Sequence, residues 1–238
     1  MKADEKQTLY TLLQKTAYLT NGCPASGFTE NPAFTDDPEP GENAAVMAER
    51  PAGQTIEDIA AEVAQCRCCG LCKTRRNTVP GVGVLSPLAL VVGEGPGADE
   101  DAKGEPFVGR AGQLLDKMLG AISLSRDTNC FIANIVKCRP PQNRDPQPDE
   151  ETACFPFLER QIQALKPKMI LAVGRIAAQW MLHTVEPIGK LRGRILDYQG
   201  IPFMATYHPS ALLRNEDLKR PAWDDLKTFR AKLQELLP

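Results

Sequence analysis

Apolar positions along this chain follow two rhythms. Four short apolar runs, at 88–92, 131–135, 169–173 and 202–206, are nearly unbroken and rich in Val, Ile, Leu, Phe, Met and Ala. Runs of that length with no polar alternation predict strands buried on both faces. Each is followed by a stretch at helical spacing, at about 110–121, 149–165, 175–183 and 221–237. Upstream, Thr55 and Asp58 form a capping-box pattern, and Ile56, Ile59, Ala60 and Val63 line one face of a helix leading to Cys66. Strands alternating with helices predict an α/β fold: a single domain with a central four-stranded parallel sheet flanked by helices on both faces. Ligands of such sheets gather at the carboxyl ends of the strands. The loops to inspect are therefore 93–97, 134–139, 174 and 207–210.

The first 55 residues break both rhythms. Leu9, Leu12, Leu13 and Ala17 stand at helical spacing and predict a short amphipathic helix within residues 1–20. Residues 21–55 hold six acids against the single Arg50, with five Pro, four Gly and few large apolar side chains. That composition buries too little apolar surface to offset the entropy of ordering, and it predicts an acidic Pro/Gly-rich linker. The domain proper is expected at 56–238.

Charge and hydropathy narrow the function classes. Across 238 residues, 28 Lys+Arg against 30 Asp+Glu give a net charge of −2, which excludes a strongly basic protein that coats nucleic acid. No apolar run approaches the roughly 20 residues of a membrane span, and the charged start leads into no signal-peptide core. The expectation is a cytoplasmic monomer without membrane contact.

In a compartment that keeps thiols reduced, eight cysteines read as metal ligands or core residues. Cys66-Arg67-Cys68-Cys69-Gly70-Leu71-Cys72 holds two overlapping C-x2-C pairs, 66/69 and 69/72, and Cys138 and Cys154 lie far downstream. Four thiolates suit either zinc or an iron–sulfur cluster, and spacing alone does not separate the two. Cys23 and Cys130 read as plain residues, while Cys68 and Cys72 stay ambiguous.

Gly93-Glu94-Gly95-Pro96-Gly97-Ala98 formally fits a dinucleotide fingerprint. Three features oppose that reading. Pro96 removes a backbone N–H from any phosphate cradle, Asp99, Glu100 and Asp101 would repel a pyrophosphate, and no helical pattern opens directly after the loop.

Taken together, the motifs resemble a family. The segment from Gly93 to Asp101, continued by Gly104-Glu105-Pro106-Phe107-Val108-Gly109-Arg110-Ala111-Gly112, is similar to the first motif of family-4 uracil-DNA glycosylases. Asn134-Ile135-Val136-Lys137-Cys138-Arg139-Pro140-Pro141 and His208-Pro209-Ser210-Ala211-Leu212-Leu213-Arg214 resemble its other two. The likeness runs from about Cys66 to the C-terminus and leaves residues 1–55 outside. It implies a [4Fe-4S] cluster rather than zinc. The family's Leu falls two residues after its second ligand, as Leu71 falls after Cys69, which implies Cys66, Cys69, Cys138 and Cys154 as ligands and makes Cys68 and Cys72 bystanders. Ala133 departs from the family, where Thr commonly precedes the Asn.

The activity so implied is hydrolysis of the N-glycosidic bond of uracil in DNA by base flipping, which initiates base excision repair. Breaking that bond leaves an oxocarbenium-like sugar and a uracil anion, so both halves need charge stabilisation. His208 can donate to uracil O2 as charge builds there. Asn134, with one acceptor and two donors, matches uracil N3–H and O4, where cytosine presents the opposite polarity. Phe107 can stack on the flipped base, with Gly95 beside it, and Glu94 can position the water or steady the oxocarbenium. Whether Glu94, Glu100 or Asp101 meets the water stays open at this point. Ser210, Leu212, Leu213 and Arg214 are expected against DNA, with the apolar pair wedged into the gap left by the everted nucleotide. Arg139, Arg144, Arg192, Arg194, Lys219 and Arg220 stand in loops near the same edge and are expected to meet phosphates.

No Lys nucleophile stands in the motifs, so the enzyme is expected to be monofunctional. Glu94 separates the chain from family-5 relatives, which lack that glutamate, and the absence of His between Cys138 and Pro148 speaks against covalent capture of abasic DNA. The competing reading is a non-catalytic iron–sulfur DNA-binding or polymerase-associated module, with residues 1–55 engaging a repair or replication protein. Glu94, Asn134 and His208 together disfavour it, because mere binding needs none of them.

Overall fold

The computed structural model describes residues 54–237. The expected helix within 1–20 and nearly all of the 21–55 linker lie outside the described residues. At the start of the described part the capping box closes: Thr55 Oγ1 accepts the Asp58 N–H at 3.1 Å and Asp58 accepts the Thr55 N–H at 2.9 Å, opening α1 (Ile56–Gln65).

The core is a six-stranded mixed sheet in the order β1-β3-β2-β4-β6-β5. β2 (Ala89–Gly93), β3 (Cys130–Asn134), β4 (Met169–Val173) and β6 (Ile201–Thr206) are the four apolar runs, and they pair in parallel. The sheet is wider than the four strands expected. β1 (Val82–Gly83) and β5 (Leu196–Tyr198) add antiparallel edges, pairing with β3 and β6. Strands of two or three residues carry no apolar run, so their pattern is too short to register in sequence.

Alternation along the strands supplies both faces. Leu90, Val92, Phe131, Ala133, Ile170 and Ala172 pack under α4 (Pro148–Leu165) and α5 (Arg175–Met181) through Phe155, Leu158 and Ala178. Val91, Ile132, Leu171 and Val173 pack on the other side, against Leu115 and Leu119 of α3 (Arg110–Ala121) and Leu226 and Phe229 of α8 (Lys219–Glu235). Each such buried side chain contributes about 1.5–3 kcal/mol relative to exposure.

One helix overturns an expectation. α2 (Ala98–Lys103) opens directly after the glycine loop, with Asp99, Glu100 and Asp101 in its first turn. Carboxylates are favoured at a helix N-terminus, so the acidic run that masked the helix in the sequence is what starts it. The short α6 (Ile188–Leu191) and α7 (Pro209–Arg214) complete the α-helices among the described residues. None of these helices is long and apolar enough to cross a membrane.

The connection from β2 goes to β3 on one side of it, and the chain then returns to β4 on the other. The crevice of such a sheet opens at that reversal, at the carboxyl end of β2. Gly93 stands there.

Candidate active site and cysteine cavity

Gly93 ends β2 opposite Asn134, which ends β3. A Cβ on Gly93 would overlap both Asn134 Oδ1 and the Phe107 ring, so only glycine lets these two side chains meet over the sheet's end. The Phe107 ring also lies 5.7 Å from the His208 ring, centroid to centroid, tilted by 33°. Three residues from three motifs thus share one slot. Asn134 is 1% exposed, and its Oδ1 has no hydrogen-bond partner among the described residues. A buried acceptor left unmet costs about 1–3 kcal/mol, which an incoming N–H would relieve.

Phe107 is held in an unusual backbone state, φ 54°, where bulky residues are rare. Its neighbours explain the hold. Arg126 donates to the carbonyls of Pro106 and Phe107, each at 2.9 Å, and to Asp116 at 2.7 Å. Gly112 leaves room for the Phe107 backbone, which a Cβ there would overlap. Glu100 accepts the N–H groups of Val108 (2.8 Å), Gly109 (3.0 Å) and Gly97 (3.1 Å), cinching the loop onto α2. Asp101 is buried and accepts from Arg76 and Asn77 main chain. Of the three acids the sequence left open, Glu100 and Asp101 are therefore bound to backbone, and Glu94 alone is not.

His208 follows β6 and caps α7. Its Nδ1 accepts the Ser210 N–H at 3.1 Å, with Ser210 Oγ at 2.8 Å. A backbone N–H only donates, so the neutral ring carries its proton on Nε2. Burial, aided by Arg214, pulls the His208 pKa down to about 4, so the ring is uncharged at neutral pH. It packs against Gly174, whose φ of +104° suits glycine. Behind it, Thr206 donates to Asp225 at 2.6 Å, and Arg192 pairs with Asp225 at 2.6 Å, donates to Pro221 O and stacks on Tyr207. Arg192 was expected to meet phosphates; it instead ties the end of β6 to α8.

Glu94 lies half-buried in the loop after β2. Burial, then the nearby Asp145 charge, push its pKa up to about 7, against the pull of Arg175. Arg175 pairs with Asp145 at 2.5 Å. Glu151 on α4 faces the same group, raised to about 8 by burial and then by Glu94 and Asp145.

On the far side of the 134–140 loop, Cys66, Cys69, Cys138 and Cys154 line one pocket, and Cys68 and Cys72 line it too. Burial pushes Cys69 and Cys154 up to about 12 and raises Cys138, with neighbouring sulfurs adding to each shift. Arg75 Nη1 donates to Cys138 Sγ at 3.1 Å and the Lys137 N–H to Cys154 Sγ at 3.2 Å. Cationic and N–H donors aimed at sulfur stabilise thiolate, the form that binds metal.

Residues 80–227, which contain the whole slot, match the family described as the Uracil DNA glycosylase superfamily. The chain belongs to the uracil-DNA glycosylase superfamily. Proteins named Type-4 uracil-DNA glycosylase are among its relatives. That of Archaeoglobus fulgidus is 41% identical over 182 residues, covering 73% of this chain and 91% of the relative. That of Sulfurisphaera tokodaii is 43% identical over 185 residues, 74% and 84% of the two chains. That of Thermotoga maritima is 39% identical over 186 residues, 76% and 96%.

In this superfamily member the residues expected against DNA divide. Leu213 is 42% exposed on α7, whereas Leu212 is 2% exposed and packs in the core with Phe107 and Leu115. The apolar pair is thus a single exposed leucine, because successive helical residues point about 100° apart. Ser210 turns to His208, Arg214 is exposed beside Leu213, and Arg144 is engaged with Glu150 at 2.6 Å rather than free for phosphate. Reading the sequence missed Arg126, Asp145, Glu151, Arg175 and Asp225. Each acts through a partner distant in the chain, and no local pattern marks it.

Proposed function

We propose that this chain is a monofunctional uracil-DNA glycosylase that hydrolyses the N-glycosidic bond of uracil in DNA and initiates base excision repair. The observation that carries this reading is the buried, unmet Oδ1 of Asn134 in a slot shared with Phe107 and His208. The everted base stacks on Phe107 beside Gly95. Asn134 Oδ1 accepts uracil N3–H while its amide donates to O4. Cytosine, with an acceptor at N3 and a donor at C4, would set acceptor against acceptor. His208 Nε2–H donates to O2 as the C1′–N1 electron pair moves onto the base. A neutral donor suits this role, since it stabilises the leaving anion without giving up its proton. Ionised Glu94 steadies the oxocarbenium and orients the water that attacks C1′. A module that merely bound DNA would have no use for the unmet acceptor.

The reading includes a [4Fe-4S] cluster held by Cys66, Cys69, Cys138 and Cys154. These four cysteines come from three separate segments of the chain and line one pocket, as a shared group would need. The likeness to family-4 uracil-DNA glycosylases, rather than the sulfur positions, favours the cluster over zinc. When bound, the cluster supplies structural cross-linking of α1, the 134–140 loop and α4; hydrolysis itself needs no electrons. Ser210, Leu213 and Arg214 face the DNA, with Leu213 filling the space of the everted nucleotide. A monomer suffices for this chemistry, the cytoplasm is taken as its compartment, and residues 1–55 are left to a repair or replication partner.

The test is a uracil-containing oligonucleotide treated with the protein and then with hot alkali. Strand breakage at uracil, absent without alkali and absent at cytosine and thymine, is the expected result. Intact strands after alkali would defeat the reading.

A further inference from the structure

Lys137 is 1% exposed, among the largest fully buried side chains described. Its Nζ donates to the Asn134 carbonyl at 2.8 Å and to Gln161 Oε1 at 2.7 Å, and Gln161, itself fully buried, donates to Pro80 O at 2.7 Å. Its own backbone N–H donates to Cys154 Sγ at 3.2 Å, and its neighbour in sequence is Cys138. Among the described residues no carboxylate pairs with it, and it lines the cysteine pocket together with Cys138 and Cys154.

We infer that Lys137 couples the cysteine cavity to the base slot, its ammonium fixing the strand end that carries Asn134 and taking its counter-charge from the cysteine sulfurs. The inference rests on the cluster and the uracil activity proposed above.

The physical argument has two halves. A buried ammonium without a counter-ion is strongly disfavoured, and two neutral acceptors do not neutralise it. Four thiolates outweigh the positive charge of an iron–sulfur core, so the loaded cavity is net negative and supplies the missing charge. The other half is mechanical. Asn134 reads the base with its side chain, while Lys137 holds the same residue by its carbonyl. The ammonium is enclosed and bound to the Asn134 carbonyl and Gln161 Oε1, which makes Lys137 a positioning residue rather than a nucleophile. The cluster then bears on base recognition without touching DNA. By the same charge logic Lys137 favours the more negative, reduced form of the cluster.

The experiment uses the full-length, iron-loaded protein. Iron content and uracil excision by the unaltered protein test the underlying reading, and failure of either defeats that reading rather than this inference. With both in place, Lys137→Met, which keeps the chain length and removes the charge, is expected to lower the midpoint potential of the cluster. It should also reduce kcat on uracil DNA by about 10-fold or more while KM for DNA stays near its original value. Gln161→Leu keeps the charge but loses one acceptor; it should leave the potential in place and lower kcat severalfold. An unchanged potential in Lys137→Met, or an unchanged kcat beside a shifted potential, would overturn the coupling. Should Lys137→Met fail to fold, wild-type kcat in Gln161→Leu would overturn it equally.

Discussion

Ser210 presents its backbone N–H to Nδ1 of His208 at 3.1 Å, and so decides which ring nitrogen keeps the proton. The donor facing the slot is Nε2–H. Removing it in His208→Ala is expected to lower single-turnover excision by about 10²–10³-fold, the usual loss for one donor at a developing anion. Ser210→Ala retains the main-chain donor and the tautomer, and should cost less than about 10-fold. Nitrogen chemical shifts of His208 check the tautomer directly.

On the proposed mechanism Glu94 is expected to set the acid side of the pH profile. Its pKa, raised to about 7 by burial and by Asp145, means the carboxyl is protonated below that pH and charged above it. Since the charged form is the useful one, kcat/KM should climb as pH rises through about 7 and then level. His208, pulled down to about 4, is uncharged throughout this range and does not shape the limb. Asp145→Asn removes a charge that raises the Glu94 pKa and should move the limb to lower pH. Arg175→Gln removes the opposing charge and should move it higher. A limb indifferent to both variants would point to another group.

The backbone of Phe107 is held by Arg126 and accommodated by Gly112. Arg126→Ala loses two bonds to main-chain carbonyls and the Asp116 pair, and should destabilise the protein by about 1–3 kcal/mol in urea unfolding. Gly112→Ala gives the sharper contrast. Alanine ordinarily improves a helix by about 0.8–1.0 kcal/mol over glycine. Here the methyl would overlap the Phe107 backbone, so the change should destabilise the fold and weaken binding of free uracil, read by calorimetry.

Leu212 and Leu213 should separate cleanly. Leu212→Ala opens the core and is expected to cost about 2–5 kcal/mol. Leu213→Ala should leave stability within about 0.5 kcal/mol while slowing excision from duplex DNA more than from a single strand, where no stack needs to be opened. Equal excision from both substrates would remove Leu213 from the wedge role.

Strands β2, β3, β4 and β6 and the long helices were legible in the sequence because strands buried on both faces demand unbroken apolar runs and amphipathic helices a fixed period. Asn134, His208 and Phe107 were picked out by the likeness of their three motifs to one family, and the folded chain brings them together. α2 was hidden because six residues carry too little apolar pattern and its start is stabilised by charge. The division of labour among Glu94, Glu100 and Asp101 could not be read, since three carboxylates of one chemical kind differ only in the main-chain donors that reach them. Leu212 and Leu213 are likewise one residue type at adjacent positions, told apart only by the face each turns to the core. Lys137 reads as a solvated cation until Gln161, 24 residues away, and Cys154, 17 away, close over it. Local pattern determines elements because the backbone repeats at short range; burial and charge partners belong to contacts between distant segments, and only the folded chain decides them.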